Sequence, residues 1–381
     1  MTHKIIYTKH MNSFIVPYFS FDYQDDLYRD LIIKEITKVI DSKSYVLGNQ
    51  LSSFEKSYSK LTNSSYTVGV GSGLDALIIS LKALKIKPGD EIIAPSNTYI
   101  ATWLAISALG ATIVPVEPDI RTSNIDAKLI EEKITVNTKA IMPVHLYGNP
   151  CDMDLIMDIA SKYKLFVVED NAQAQLAIYN GKYTGTFGDI NATSFYPTKN
   201  LGAIGEAGAI TTNNEGLSDF VKTYRNYGSK EKYINIHKGV NSRLDELQAA
   251  ILNVKLPYLE KLTLNRIEIA KCLKEGLKGV GDLLLPYTHP KSTHVYHIFN
   301  IRTEKRDKLA SYLNSKGIGT SIHYPIPPHL QEAYKNLKYK EGDFPISEKL
   351  AKTSLSLPLF PGMTTDQVEF VVKSIKSFFN E

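Results

Sequence analysis

Cysteine is almost missing from this chain: among 381 residues only Cys151 and Cys272 occur, far apart and without CxxC or Cys/His spacing. That excludes a disulfide framework and a cysteine zinc site, so no metal is expected, and it fits a reducing cytoplasm. A dominant sign of charge is missing too. The 44 basic and 40 acidic residues are interspersed for a net charge of +4, with no basic tail or stripe suited to nucleic acid, although the slight positive balance suits an anionic substrate. No secretory signal is expected, because Lys4, Lys9 and His10 interrupt any apolar core before Met11. Residues 1–13 read as a loose extension. The longest uncharged run, Ile92 to Val116, is punctuated by Pro95, Ser96, Asn97, Thr98 and Gly110, so it reads as strand, loop, helix and strand instead of a membrane span.

What is present is a core-forming chain, 43% apolar and 22% charged, long enough for two domains. Short β-rich runs stand at Thr67–Val70, Glu91–Ala94, Thr112–Val116, Ala140–Val144, Leu165–Glu169, Ala192–Tyr196 and Gly208–Thr212. Helical patterns such as Leu74–Leu84 and Asp152–Lys162 separate several of them. Apolar strands alternating with helices predict an α/β fold whose parallel or mostly parallel sheet is covered on both faces. Ligands then collect beyond the carboxyl ends of the strands. After Leu256 the pattern changes: a helix over Asp245–Leu273 is broken at Pro257, a strand follows at His297–Ile301, and amphipathic helices cover Arg306–Ser315 and Gln367–Phe379. Thr364 and Gln367 have capping-box spacing before the last helix. The expected units are a large domain at 14–255 and a smaller α+β domain at 256–381.

The chemistry-bearing residues follow the strands. Lys199 comes just after Ala192–Tyr196, with Ser194 and Thr198 beside it and a glycine loop behind. A desolvated lysine near a cationic ring has a lowered pKa and can attack an aldehyde, whereas an ordinary lysine is a solvated charge. Asp170 ends the run Leu165–Val168 in Glu169-Asp170-Asn-Ala-Gln173. It suits either a helix N-cap or a partner for a pyridinium nitrogen, with Gln173 near enough to reach a phenolic oxygen. The loop Gly69-Val-Gly-Ser-Gly73-Leu74-Asp75 opens a helix and suits either a tight turn or a phosphate held by backbone N–H groups. Leu74, together with Asp90 and Glu91 placed before the next strand, argues against a dinucleotide fingerprint. Tyr99, on a strand-end loop, is either a packed aromatic or a face stacked on a ring. Arg225-Asn226-Tyr-Gly228, Asn241-Ser-Arg243 and His323-Tyr324-Pro325 suit structural or ligand-contacting roles.

The combination Gly71-Ser-Gly-Leu-Asp-Ala76, Pro95-Ser-Asn-Thr-Tyr99, Glu169-Asp170-x-Ala-Gln173-Ala, Ser194-Phe-Tyr-Pro-Thr-Lys199-Asn-Leu-Gly, Arg225-Asn-Tyr-Gly228 and Asn241-Ser-Arg-Leu-Asp-Glu-Leu-Gln-Ala249 resembles the DegT/DnrJ/EryC family of nucleotide-sugar aminotransferases. The resemblance runs from about Val16 to the C-terminus. It implies the aspartate-aminotransferase fold (fold type I), pyridoxal 5′-phosphate with pyridoxamine 5′-phosphate as intermediate, and a homodimer with shared sites. By motif, Lys199 would be the Schiff-base lysine and proton shuttle, Asp170 the pyridinium partner and Gln173 the phenolic-oxygen contact. Gly73, Leu74 and Ser194 would hold the phosphate, Tyr99 would stack on the ring, and Asn226 would reach the neighbouring subunit's phosphate. His323 and Tyr324 resemble the family's His-Tyr-Pro segment near the sugar, and Asn241 and Arg243 join them as substrate residues.

The chain departs from the family where Gln-Ala-His-Gly becomes Gln173-Ala-Gln175-Leu176, and where Gly-Asp-Gly-Gly becomes Gly205-Glu-Ala-Gly208. The resemblance implies L-glutamate as donor and ping-pong transfer to a keto-sugar nucleotide. The block Ile322-His-Tyr-Pro-Ile-Pro-Pro-His329-Leu-Gln331 is most like enzymes acting on dTDP-3-keto-6-deoxyhexoses, which implies amination at C3, with C4 or C2 and UDP- or GDP-sugars as alternatives. A sugar dehydratase of the same fold would carry histidine where Lys199 stands, and no DNA-binding segment in the sequence supports a non-catalytic regulatory or sensor protein on this fold.

Overall fold

The computed structural model describes residues 15–380; the expected N-terminal extension lies outside them. Its centre is a seven-stranded sheet made of β1 (Tyr66–Val70), β2 (Glu91–Pro95), β3 (Thr112–Val116), β4 (Thr138–Ile141), β5 (Phe166–Asp170), β6 (Ile190–Ser194) and β7 (Gly208–Thr212), in the order β1-β7-β6-β5-β4-β2-β3. The pairs β2/β3, β2/β4, β4/β5 and β5/β6 are parallel, and only β7 runs antiparallel to its neighbours β1 and β6. The expected mostly parallel α/β architecture is therefore present.

The strands are apolar throughout because both faces are covered, and their two-residue period assigns alternate side chains to separate cores. Ile92, Ala140, Met142 and Val168 pack with α3 (Gly73–Ala83) and Trp103 of α4 (Ala101–Ser107). Their chain neighbours Ile93, Ile141 and Val167 pack with Met153, Ile156 and Ile159 of α5 (Met153–Tyr163) on the other face. Helix α3 starts where the Ser72 hydroxyl accepts the Asp75 N–H at 3.1 Å, and α5 starts where Asp152 accepts the Leu155 N–H at 3.4 Å.

The helical pattern interrupted by Pro257 forms α7 (Glu246–Lys255), a 3₁₀ turn over Leu256–Tyr258 and α8 (Leu259–Leu277). This matches the loss of a backbone donor at proline. A third core gathers α8, an antiparallel pair Phe299–Arg302/Ser354–Leu357, α9 (Arg306–Ser315) and α10 (Thr365–Asn380). The capping box is formed in both directions: Thr364 N–H donates to Gln367 Oε1 at 3.0 Å, and Gln367 N–H to Thr364 Oγ1 at 3.2 Å. Val16 packs into this same core beside Ile318, so the first described residues lie against the C-terminal layer.

Helix α1 (Asp22–Ser42) has no clear apolar period and buries only Gln24, Tyr28 and Val39, while α2 (Asn49–Thr62) and α6 (Glu215–Tyr224), each with one buried face, complete the cover. Among the described residues no helix is long and apolar enough to cross a membrane.

Candidate active site

A cavity of about 700 Å³ opens at the carboxyl ends of the central strands. It is lined by Gly73, Leu74, Tyr99, Asp170, Gln173, Ser194, Lys199, His323 and Tyr324, residues the sequence singled out one by one. Asn226, Asn241 and Arg243 do not line it.

Lys199 sits on a loop that leaves β6 at Ser194 and returns to β7. The Lys199 N–H donates to Tyr196 O and the Ala203 N–H to Phe195 O, each at 2.8 Å, which closes the loop at its neck. Gly202 is required there, because a Cβ would stand 2.2 Å from the Pro197 carbonyl oxygen. Burial pushes the Lys199 amine down to about 8, against the opposing charge of Asp170.

Asp170 ends β5 and is buried. Burial pushes its carboxyl up, and this is opposed by hydrogen bonds from the Thr102 hydroxyl at 2.9 Å and the Ala172 N–H at 3.2 Å, then by the charge of Lys199. Glu169 points to the opposite face of the strand and is fully enclosed. Its carboxylate accepts the N–H groups of Gly185, Phe187 and Gly188 at 2.8, 2.6 and 2.9 Å. It also contacts His145 Nε2 at 2.8 Å. The Cys151 N–H donates to His145 Nδ1, which assigns the ring proton to Nε2.

At the other side, α3 presents its N-terminus, where the first N–H groups have no partner inside the helix and the dipole is positive. Gly73 is pressed against Ser194: a Cβ on residue 73 would stand 2.6 Å from Ser194 Cβ and 3.1 Å from its Oγ. Gln175 donates to the Ser194 carbonyl at 2.7 Å and so anchors this strand end.

The remaining wall is aromatic. Gln173 accepts the Tyr147 N–H at 2.6 Å and donates to the Tyr324 hydroxyl at 3.1 Å. The Tyr324 ring lies 5.3 Å from Tyr99, and the Tyr147 hydroxyl donates to the His323 carbonyl. His323 stacks on Tyr18 at 5.9 Å and meets Ser356 Oγ at 2.8 Å. Burial first, then the charge of Lys199, lowers His323 to about 4 and His297 well below its ordinary range. Both rings are therefore neutral at neutral pH.

Outside the cavity, Asn226 and Asn241 pair as an isolated bridge, and Arg243 donates to Asn226 Oδ1 at 3.0 Å while lying over Tyr227. Arg225 is buried and bonds Glu55 at 2.6 Å, which anchors the start of this motif in the fold. Thr102, Glu169, His145 and His297 were not picked out by the sequence reading. Thr102 alone carried a usable signal, being a hydroxyl one helical turn beyond Tyr99.

The donor set fits pyridoxal phosphate: a glycine-lined helix N-terminus and a hydroxyl for a phosphate, a buried carboxylate for a ring nitrogen, and a desolvated amine for an aldehyde. Among the described residues no cluster of His, Cys, Asp or Glu is arranged to hold a metal. Sheet, strand-end lysine and strand-end carboxylate together define the class, an α/β aminotransferase of fold type I. The chain belongs to the DegT/DnrJ/EryC1/StrS aminotransferase family, whose model matches residues 27–376. A dTDP-3-amino-3,6-dideoxy-alpha-D-galactopyranose transaminase of Aneurinibacillus thermoaerophilus is 48% identical over 351 residues, 92% of this chain and 96% of that protein. A dTDP-3-amino-3,4,6-trideoxy-alpha-D-glucose transaminase of Streptomyces venezuelae is 44% identical over 343 residues, 90% of each. The crystal structure of S. venezuelae DesV in complex with a ketimine intermediate superposes with a TM-score of 0.94 at 42% identity, covering 96% of this chain and 99% of that one.

Proposed function

We propose that this enzyme uses pyridoxal phosphate to transfer the amino group of L-glutamate to C3 of a dTDP-linked 3-keto-6-deoxyhexose. The observation that carries the transfer chemistry is the meeting of Lys199, Asp170 and the α3 N-terminus on one cavity. The choice of C3 is supported by the two related transaminases, both named for 3-amino sugars.

When bound, the cofactor supplies an aldehyde carbon that exchanges an amino group and a ring that draws electron density from the carbon being deprotonated. Lys199 Nζ, desolvated and neutral in a useful fraction at neutral pH, takes a proton from carbon and returns it. The Asp170 carboxylate, whose charged form the Thr102 hydroxyl favours against burial, would keep a proton on the ring nitrogen. The N–H groups of Gly73 and Leu74 and the Ser194 hydroxyl would hold the phosphate, Tyr99 would cover the ring face and Gln173 would reach the phenolic oxygen, with His323 and Tyr324 left to meet the sugar.

The same reading assigns Asn226, Asn241 and Arg243, which do not line their own chain's cavity, to the cavity of a second copy in a homodimer. Exposed Tyr227, Tyr233, Ile234 and Ile236 beside them suit a buried interface. The same reading takes 14–255 as the cofactor domain, with Val16 crossing to pack on the smaller unit of 256–381, in a cytoplasmic protein. Activity recovered on mixing Lys199→Ala with Asn226→Ala subunits tests the shared site, and no recovery contradicts it. Incubation with glutamate and either dTDP-3-keto- or dTDP-4-keto-6-deoxyhexose, read by mass spectrometry, tests the substrate. Turnover of the 4-keto sugar alone overturns the assignment to C3.

A further inference from the structure

Lys255, the last residue of α7, is only 6% exposed. Among the described residues its amine is held by a carbonyl and a ring, with no carboxylate at ion-pair distance. Nζ donates to the Gly202 carbonyl at 2.7 Å and lies 5.3 Å from the centroid of Tyr28 on α1. Burial pushes this amine down to about 8, with only the distant charge of Asp25 opposing. A buried amine is costly, and an apolar side chain of similar length would pack here without that cost. The bond to Gly202 is what distinguishes lysine from such a replacement.

Gly202 lies three residues beyond Lys199, at the neck of its loop. The same helix grips the loop a second time: Gln248, two turns earlier on α7, accepts the Ile204 N–H at 3.0 Å. The two side chains are seven residues apart, so they project from one face of α7. The Lys199 loop is thus fastened to a helix rather than left to its own turns, and α7 is itself packed against α1 and α2. A catalytic amine needs its supporting shell to hold it within a fraction of an ångström of the working geometry.

We propose that Lys255 is a positioning residue for amino transfer, which fixes the loop presenting Lys199 by holding the Gly202 carbonyl. This rests on the proposed function only for its kinetic consequence; the effect on the loop stands apart from it. The test compares full-length wild type with Lys255→Met. In cofactor-free protein, amide exchange in the peptide spanning 196–204 is expected to quicken by about tenfold while exchange in β1 and α3 stays unchanged. In the loaded enzyme, kcat is expected to fall by about tenfold, with KM for glutamate and for the sugar within about twofold of wild type. Borohydride should still fix the cofactor to Lys199. Unchanged exchange together with unchanged kcat overturns the proposal, as does a loss of thermal stability with kcat intact. If the Met variant does not fold, Lys255→Gln is subjected to the same two comparisons. A wild-type protein inactive on every keto-sugar would count against the proposed function, while the exchange comparison would still decide the role of Lys255.

Discussion

The hydroxyl of Thr102 lies 2.9 Å from Oδ2 of Asp170 and donates to it. Its single proton is therefore spent, so in the 2.9 Å contact between the hydroxyls of Thr98 and Thr102, Thr98 is the donor. This two-hydroxyl chain runs from the cavity wall to the carboxylate and opposes the burial that pushes Asp170 towards its neutral form. Thr102→Val keeps the shape and removes the donor. The Asp170 pKa then rises further, because the charged form loses a hydrogen bond. The acid limb of the kcat profile should move to higher pH, with kcat at neutral pH reduced by about tenfold. Thr102→Ser should restore the limb. A Val variant with an unshifted profile contradicts this account of Asp170.

Lys199 has its own pH signature. Only the neutral amine attacks an aldehyde, and burial lowers this group to about 8. The rate at which cofactor-free protein takes up pyridoxal phosphate should therefore climb with rising pH through about 8 and level off above it. Stopped-flow absorbance measures that rate directly. A climb that begins only near the ordinary lysine range would show that the amine is not desolvated.

Gly73 and Ser194 leave no room for a methyl group. In Gly73→Ala the new Cβ meets Ser194 Cβ at 2.6 Å in the present geometry, so either the helix start or the strand end must shift. Overpacking of this kind costs about 1–3 kcal/mol. Because both shifting groups are assigned to the phosphate, the dissociation constant for pyridoxal phosphate should rise by about tenfold or more, read by fluorescence titration. An unchanged constant would remove the helix start from the phosphate site.

Glu169 is a structural carboxylate next to a functional one. Its three backbone donors and His145 leave no room for an apolar substitute that satisfies them. Glu169→Leu should destabilise the fold by about 3–5 kcal/mol in urea denaturation, because buried donors lose their acceptor. A loss below about 1 kcal/mol would mean that the loop over Gly185–Gly188 relaxes freely around the change.

Much of this site was legible in the sequence because the fold places ligands at strand ends. Lys199, Asp170, Tyr99 and Gly73 each follow a run of apolar residues, and the runs were visible. Boundaries slipped where the chain leaves a strand at a special residue: β4 stops at Ile141 before Pro143, and β6 stops at Ser194 before the Lys199 loop. His145 gave no signal, since it meets Glu169 across 24 residues and only through the pairing of adjacent strands. Lys255 likewise reads as one more helix lysine until α7 is laid against the loop at Gly202. Helix α1 was hidden for a different reason: it buries too few side chains to mark a face.

The central claim, that Lys199 is the residue to which pyridoxal phosphate attaches, is tested most directly by borohydride reduction of the cofactor-saturated protein followed by peptide mass mapping. The account predicts a visible absorption band that is lost on reduction, one phosphopyridoxyl mass on the peptide containing Lys199, and neither in Lys199→Ala. A label on any other lysine, or no band in the saturated wild-type protein, would contradict it.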